Sequence, residues 1–149
     1  MIKEIMSSKI VSSDLNSSIK DVAQLMKENN IGFIPVKENN KYVGVITDRD
    51  ICLSIPTIDS TSDSIKPYIT NNAISIDSNA SIDKALDVMS ENKIKRLLVK
   101  EKDNIVGVLS LSDILNYSDD SEIINTFKTI FYIHDNDKGY IAEIDDFYL

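Results

Sequence analysis

Gly44-Val45-Ile46-Thr47-Asp48-Arg49-Asp50-Ile51 returns 63 residues later as Gly107-Val108-Leu109-Ser110-Leu111-Ser112-Asp113-Ile114. Each copy runs from a glycine through a short apolar stretch to a hydroxyl residue, with an aspartate three positions beyond it. The similarity spreads outward from this pair. At the same offset, residues 1–51 lie on residues 64–114 without a gap, and 19 of the 51 positions are identical. The chain is a tandem repeat, so function is to be sought where the two copies meet.

Composition narrows the function classes. In a chain of 149 residues each copy has only about 50, marginal for an independent core, so the copies are expected to pack together. A 42% hydrophobic content with 4 Gly and 3 Pro is that of a folded globular protein. The net charge of −8 opposes nucleic acid as a partner, because such binding rests on phosphate neutralisation by Lys and Arg. It opposes an anionic membrane surface for the same reason. No apolar run approaches ~20 residues, and Met1-Ile2-Lys3-Glu4 opens no secretory leader, so a cytoplasmic location is expected. Cys52, the only cysteine, has no internal disulfide partner and, following Ile51, reads as a buried inert thiol.

The order of elements follows from hydrophobic spacing. Ile2, Ile5 and Met6 have a helical or irregular spacing, and Lys9–Ser13 reads as a short strand. After the turn Asp14–Ser18, Ser18 with Asp21 caps a helix whose apolar face is Ile19, Val22, Ala23, Leu25 and Met26 and which ends at Asn29-Asn30. Gly32–Val36 and Tyr42–Ile46 flank the polar turn Lys37–Lys41 as a strand pair, and Thr47 caps a short helix stopped by Pro56. The second copy repeats this with strands at Asn72–Ile76, Arg96–Lys100 and Ile105–Leu109, a helix over Ser81–Asn92, and a last helix from Ser110 to about Tyr117. The expected domains are a first repeat at residues 1–54, a linker at 55–63 without periodicity, a second repeat at 64–117 and a helical or irregular extension at 118–149. The fold class is α+β, with a small sheet and helices on one face. In the extension Ile123, Ile124, Phe127, Ile130 and Phe131 form one helical stripe, and six of the ten aromatics fall there, so it is expected to pack on the repeats or a second subunit. His134 has no second His and no Cys nearby, so no metal site is read there.

A hydroxyl residue with an acid three positions on has an ordinary meaning. Thr47 with Asp50, and Ser110 with Asp113, read as capping boxes. Their company adds a second meaning. The chain has 14 lysines but only two arginines; Arg49 lies inside the first motif, and Arg96 opens the strand pair that leads to the second. A guanidinium fork and a helix N-terminus both suit phosphate, whereas an aspartate suits vicinal ribose hydroxyls. Together they describe a nucleoside pocket with a cationic phosphate end. The plainer alternatives are a solvated Arg49 on a first helical turn and a surface ion pair for Arg96.

Ile34-Pro35-Val36, the Gly44–Asp50 motif and the Gly107–Asp113 motif at a constant spacing resemble a tandem pair of CBS domains, the module named after cystathionine β-synthase. The resemblance covers residues 1–117. It implies two β-α-β-β-α units packed by their sheets about a pseudo-two-fold axis, with two clefts for adenosine compounds, a regulatory role and homodimers. Carried over, it gives Asp113 to ribose in the second cleft, with Ser110 and Ser112 in support, Arg96 to phosphate, and Val11, Ser12, Ile31, Gly32 and Met6 to the base walls. In the first cleft it gives Asp50, Thr47 and Arg49, with Ile74, Ser75, Ile94 and Lys95 on the base side. Phe33 stands where the other copy has Arg96, and Leu98 where it has Pro35, which implies unequal clefts. The extension inherits nothing from the family pattern.

The leading expectation is a regulatory pair that binds AMP, ADP, ATP or a related adenosyl compound, with or without Mg, and signals to a separate effector protein by a change in conformation or assembly. No cofactor is required. The alternative is a dimerisation or interaction scaffold with empty clefts. Catalysis ranks last: the chain has one His, one Cys, no Gly-rich phosphate loop and no Cys/His metal spacing, and Asp48 with Asp50 reads as a helix-start cluster before a Mg site.

Overall fold

The two hairpins are set by their turns. In the computed structural model, which describes residues 1–117, strands β2 (Phe33–Glu38) and β3 (Lys41–Thr47) are joined by Asn39-Asn40, at φ 48° and 65°. Two successive left-handed residues make the hairpin turn whose twist matches that of the strands, and asparagine tolerates it. Strands β6 (Arg96–Glu101) and β7 (Asn104–Ser110) are joined by Lys102-Asp103, with Lys102 at φ 54°. Each hairpin carries a bulge at the same place, after Val36 and after Val99.

Helices α1 (Ile19–Asn29) and α3 (Ile82–Asn92) start at serines, as read from the sequence. Ser18 Oγ accepts the Asp21 N–H, while the Asp21 carboxylate accepts from the Ser18 N–H and hydroxyl, so both ends of the box are closed. Those bonds hold the Asp21 carboxyl below its ordinary pKa. Ser81 caps α3 through the Lys84 N–H alone, because position 84 is a lysine where the first repeat has Asp21. Helices α2 (Asp48–Ser54) and α4 (Leu111–Tyr117) follow β3 and β7 directly.

Two cores result. The first gathers Ile19, Val22 and Met26 of α1, Ile34 and Val36 of β2 and Ile46 of β3; the second gathers Ala85, Leu86 and Met89 of α3, Leu97 and Val99 of β6, Leu109 of β7 and Ile114 of α4. Ile34-Pro35-Val36, Gly44-Val45-Ile46 and Leu97-Leu98-Val99 are buried three in a row. A strand buried without alternation is covered on both faces. Helices cover one face. On the other, Phe33 meets Arg96, its own counterpart in the second repeat, with the guanidinium carbon 6.0 Å from the ring centroid. A residue that touches its own repeat partner lies close to a two-fold axis, which places the axis between the β2 and β6 entries.

The sheets are completed by exchange. The four-stranded sheet runs β1 (Ser13–Asp14), β2, β3, β4 (Thr70–Asn71), and the three-stranded sheet runs β5 (Ser75–Asp77), β6, β7. Ile2 is fully buried in the second core, its N–H bonded to the Ala80 carbonyl, and Ser7 bridges to Val108. Reciprocally, Ile65 is fully buried in the first core, and β4 pairs with Gly44 and Val45 of β3. The stretches 7–13 and 70–75 therefore cross between units. This corrects two sequence expectations: Lys9–Ser12 and Asn72–Ile74 form no strand, because a crossing segment has no continuous neighbour to pair with. Asn72, at φ 54°, turns the second crossing.

Exchange also explains the repeated glycine. A methyl group on Gly44 would overlap the Thr70 carbonyl, and one on Gly107 would lie 2.6 Å from the Met6 sulfur and 2.9 Å from the Ser7 carbonyl oxygen. Cys52 departs from the sequence reading: it is exposed. Ile51 and Ser54 turn inward on α2, and a residue one position from Ile51 cannot share its face. The stripe at 123–131, His134 and the packing expected of the extension lie outside the described residues.

Because both obstacles include main-chain atoms, Gly44→Ala and Gly107→Ala should each lower stability by about 1–3 kcal/mol. Urea unfolding checks this, and unchanged midpoints in both variants would show that the crossing segments do not press on the glycines.

Candidate functional site

The two motifs make the same local structure. Thr47 Oγ1 accepts the Asp50 N–H at 3.2 Å, and Asp50 Oδ2 accepts from the Thr47 N–H at 2.8 Å and its hydroxyl at 2.7 Å. In the second copy Ser110 Oγ accepts the Asp113 N–H at 3.2 Å, and Asp113 Oδ2 accepts from the Ser110 N–H at 2.7 Å and from its hydroxyl. Capping thus occupies one oxygen of each carboxylate. Among the described residues, Asp50 Oδ1 and Asp113 Oδ1 take no hydrogen bond, and both aspartates are half-buried. The structural and ligand meanings of the motif do not compete: they use different oxygens.

Around the second helix start the structure gathers Arg96, Ser110, Ser112 and Asp113. Arg96 is the register partner of Ser110, so their side chains share a face of the sheet. Ser112 and Ser110 exchange a hydroxyl hydrogen bond of 2.8 Å. The Lys95 carbonyl accepts the Leu111 N–H, and Ile94 packs on the second core. Burial, and then the neighbouring Arg96 charge, push the Lys95 ammonium below its ordinary pKa. Two cations side by side at a strand entry favour an incoming anion. Met6 reaches this unit through its contact with Gly107.

Around the first helix start lie Thr47, Arg49 and Asp50. The Gly32 carbonyl accepts the Asp48 N–H at 3.1 Å, and a side chain at Gly32 would collide with the Asp48 carboxylate. Ile31 and Val11 pack on the first core, and Ser12 leads into β1. Arg49 is exposed on the first turn of α2. The family pattern assigned Ile31 and Gly32 to the second cleft and Ile94 and Lys95 to the first; the main-chain bonds tie Gly32 and Lys95 to the helix start of their own repeat. Ile74 is 36% exposed, with its carbonyl bonded to the Leu98 N–H, and Ser75 opens β5 opposite Leu98. The Phe33–Arg96 contact brings the two helix-start regions side by side across the seam.

Two cavities bear on the site. One of about 260 Å³ borders Asp113 and is lined by Glu4, Ile5, Asn116 and Tyr117. Sequence reading missed Glu4 because nothing local shows that the N-terminal turn, Ile2–Glu4, belongs to the second unit. The other, about 820 Å³, lies between the hairpin ends. It shares only Ser75 with the residues named from the sequence. Among the described residues no group of three or more His, Cys, Asp or Glu is placed to hold a metal ion, and no helix is long and apolar enough to cross a membrane.

Known proteins give this geometry a context. The model of the CBS domain matches residues 2–56 and again 65–120. The CBS domain-containing protein YhcV of Bacillus subtilis is 30% identical over 114 residues, spanning 76% of this chain and 81% of the relative. Hypoxic response protein 1 of Mycobacterium tuberculosis is 26% identical over 131 residues, spanning 86% and 92%. The CBS domain pair of protein MJ0100, solved in complex with 5′-methylthioadenosine and S-adenosyl-L-methionine, superposes with a TM-score of 0.70 at 26% identity, covering 78% of this chain and 94% of that one. The duplicated motif, the two mixed sheets and both family matches agree, and the chain belongs to the CBS domain family as a tandem pair.

Proposed function

We propose that the chain is a regulatory CBS pair that binds an adenosine compound (AMP, ADP, ATP or a related adenosyl molecule) beside the helix starts. The observation that carries this reading is the spare Oδ1 of Asp113, set among Ser110, Ser112 and Arg96. An acceptor held rigid by its capping bonds suits a pair of ribose hydroxyls, and the adjacent Lys95 and Arg96 suit phosphate. The adenosyl ligands of the MJ0100 pair support the ligand class. The first helix start offers the same acid but has Phe33 in place of the arginine, so it is the weaker of the two. A ligand that touches both repeats favours one arrangement of them, which an effector protein can read.

At a hundred times its dissociation constant such a ligand adds ~2.7 kcal/mol, a rise in Tm of roughly 5–15 °C for a domain of this size. Thermal unfolding with AMP, ADP, ATP, 5′-methylthioadenosine and S-adenosyl-L-methionine checks this. No shift from any of them at millimolar concentration would defeat the sensing reading. Asp113→Ala should cost about 1 kcal/mol through the lost cap and remove the ligand-induced rise. Ser81→Ala, a cap loss remote from the motif, should cost a similar amount and keep the rise; if both variants respond alike, Asp113 acts only as a cap.

A second reading, a homodimerisation scaffold, is favoured by α2. Leu53 is 61% exposed and Ile55, just past the helix, 55%, with Cys52 exposed beside them. Large apolar side chains exposed at the end of a short helix suit a self-complementary contact. Leu53→Glu with Ile55→Glu should convert a dimer to a monomer in sedimentation equilibrium. A wild-type chain that is already monomeric at tens of micromolar would dispose of this reading.

A further inference from the structure

The geometry points to a second ligand site at the opposite end of the seam, between the two hairpin ends, that takes a multiply charged phosphate-class anion. The cavity of about 820 Å³ lies within the size range of small-molecule sites. Lys41 of one hairpin and Lys100 and Lys102 of the other line it, with Asp103 as the one acid. Among the described residues none of these three ammonium groups makes an ion pair or a hydrogen bond, although the chain has 24 acidic residues and a net charge of −8. Three ammonium groups focused on one concavity raise its affinity for anions above that of the scattered surface lysines. Asn104 and Ser75 add neutral hydrogen-bonding groups, and Leu98 an apolar one.

The two hairpin turns differ at the cavity. Lys102 sits at φ 54°, where the first repeat has Asn39 at φ 48°. Asparagine adopts this conformation readily and lysine does not, so the second hairpin carries a lysine where turn chemistry favours another residue. The lysine end of the cavity is remote from the helix starts, since β3 runs from Lys41 to Thr47 over ~20 Å at ~3.3 Å per residue, while the inner end reaches Gly44 and Ser75. Because both repeats contribute a lysine, an anion here draws the hairpins together and acts on the same seam as a ligand beside Asp113.

Tripolyphosphate, which has no nucleoside, is the probe, with ionic strength held constant by sodium chloride. It should raise the Tm of the full chain by about 2 °C or more. Lys100→Gln with Lys102→Asn, the latter borrowing the residue of the first hairpin, should abolish the rise while the variant alone unfolds at or above the wild-type temperature. Asp50→Ala with Asp113→Ala should leave the tripolyphosphate response intact. No rise in the wild type, an equal rise in the lysine variant, or loss of the rise in the aspartate variant each overturn the proposal. Adenosine, which has no phosphate, reports on the helix-start reading in the same assay, so either site can fail without the other.

Discussion

Burial of both faces of the inner strands is the constraint on which the molecule depends. Pro35, Val45 and Leu98 are buried yet belong to neither helix-covered core. They alternate with core residues and so lie on the opposite side of the strands, the side on which Phe33 of one repeat meets Arg96 of the other. At ~25 cal/mol per Å² of apolar surface, several such side chains amount to a few kcal/mol, comparable to the whole stability of a small domain. The seam is therefore a large part of what keeps the halves folded. A molecule that binds across it acts on the same free energy that holds the repeats together, which gives a regulatory pair its leverage.

The motif that announces the family does several jobs at once. Its glycine admits a crossing segment, its hydroxyl closes a capping box, and its aspartate divides its two oxygens between the helix and the open side. None of these tasks alone requires the whole stretch. Their coincidence at the end of β7, beside Arg96, makes the second helix start chemically richer than the first, where the counterpart of Arg96 is the apolar Phe33. The repeat provides two corresponding places, and the difference between Phe33 and Arg96 makes them unequal.

Much of this was legible in the residues. The 63-residue offset gave the repeat, serine and threonine at fixed distances from aspartate gave the helix starts, and short apolar runs such as Ile34-Pro35-Val36 gave the strands, whose cover on both sides is visible only in the fold. The exchange of segments was not legible. Ile2 and Ile65 look like local apolar residues, and only the bonds from Ile2 to Ala80 and from Ile65 to Ser17 reveal that each serves the other unit. Lys9–Ser12 has the composition of a strand, but pairing is a property of neighbours, and a segment in transit between sheets has none along its length. Cys52 was misread for a different reason: following an apolar residue says nothing about which way a helical side chain points, whereas the 100° step from Ile51 does. The hairpin cavity escaped notice because Lys41, Lys100 and Lys102 are far apart in sequence and ordinary one at a time.

The exchange has a bearing on how the protein is made. As the chain leaves the ribosome, the first hairpin emerges early, but its sheet and core stay incomplete until Ile65, Thr70 and Asn71 follow. Ile2 waits longer still, because the core that receives it includes Ile114. Neither half can close independently during translation. Completing either core requires a non-local closure, which slows folding relative to a chain whose copies were each self-contained.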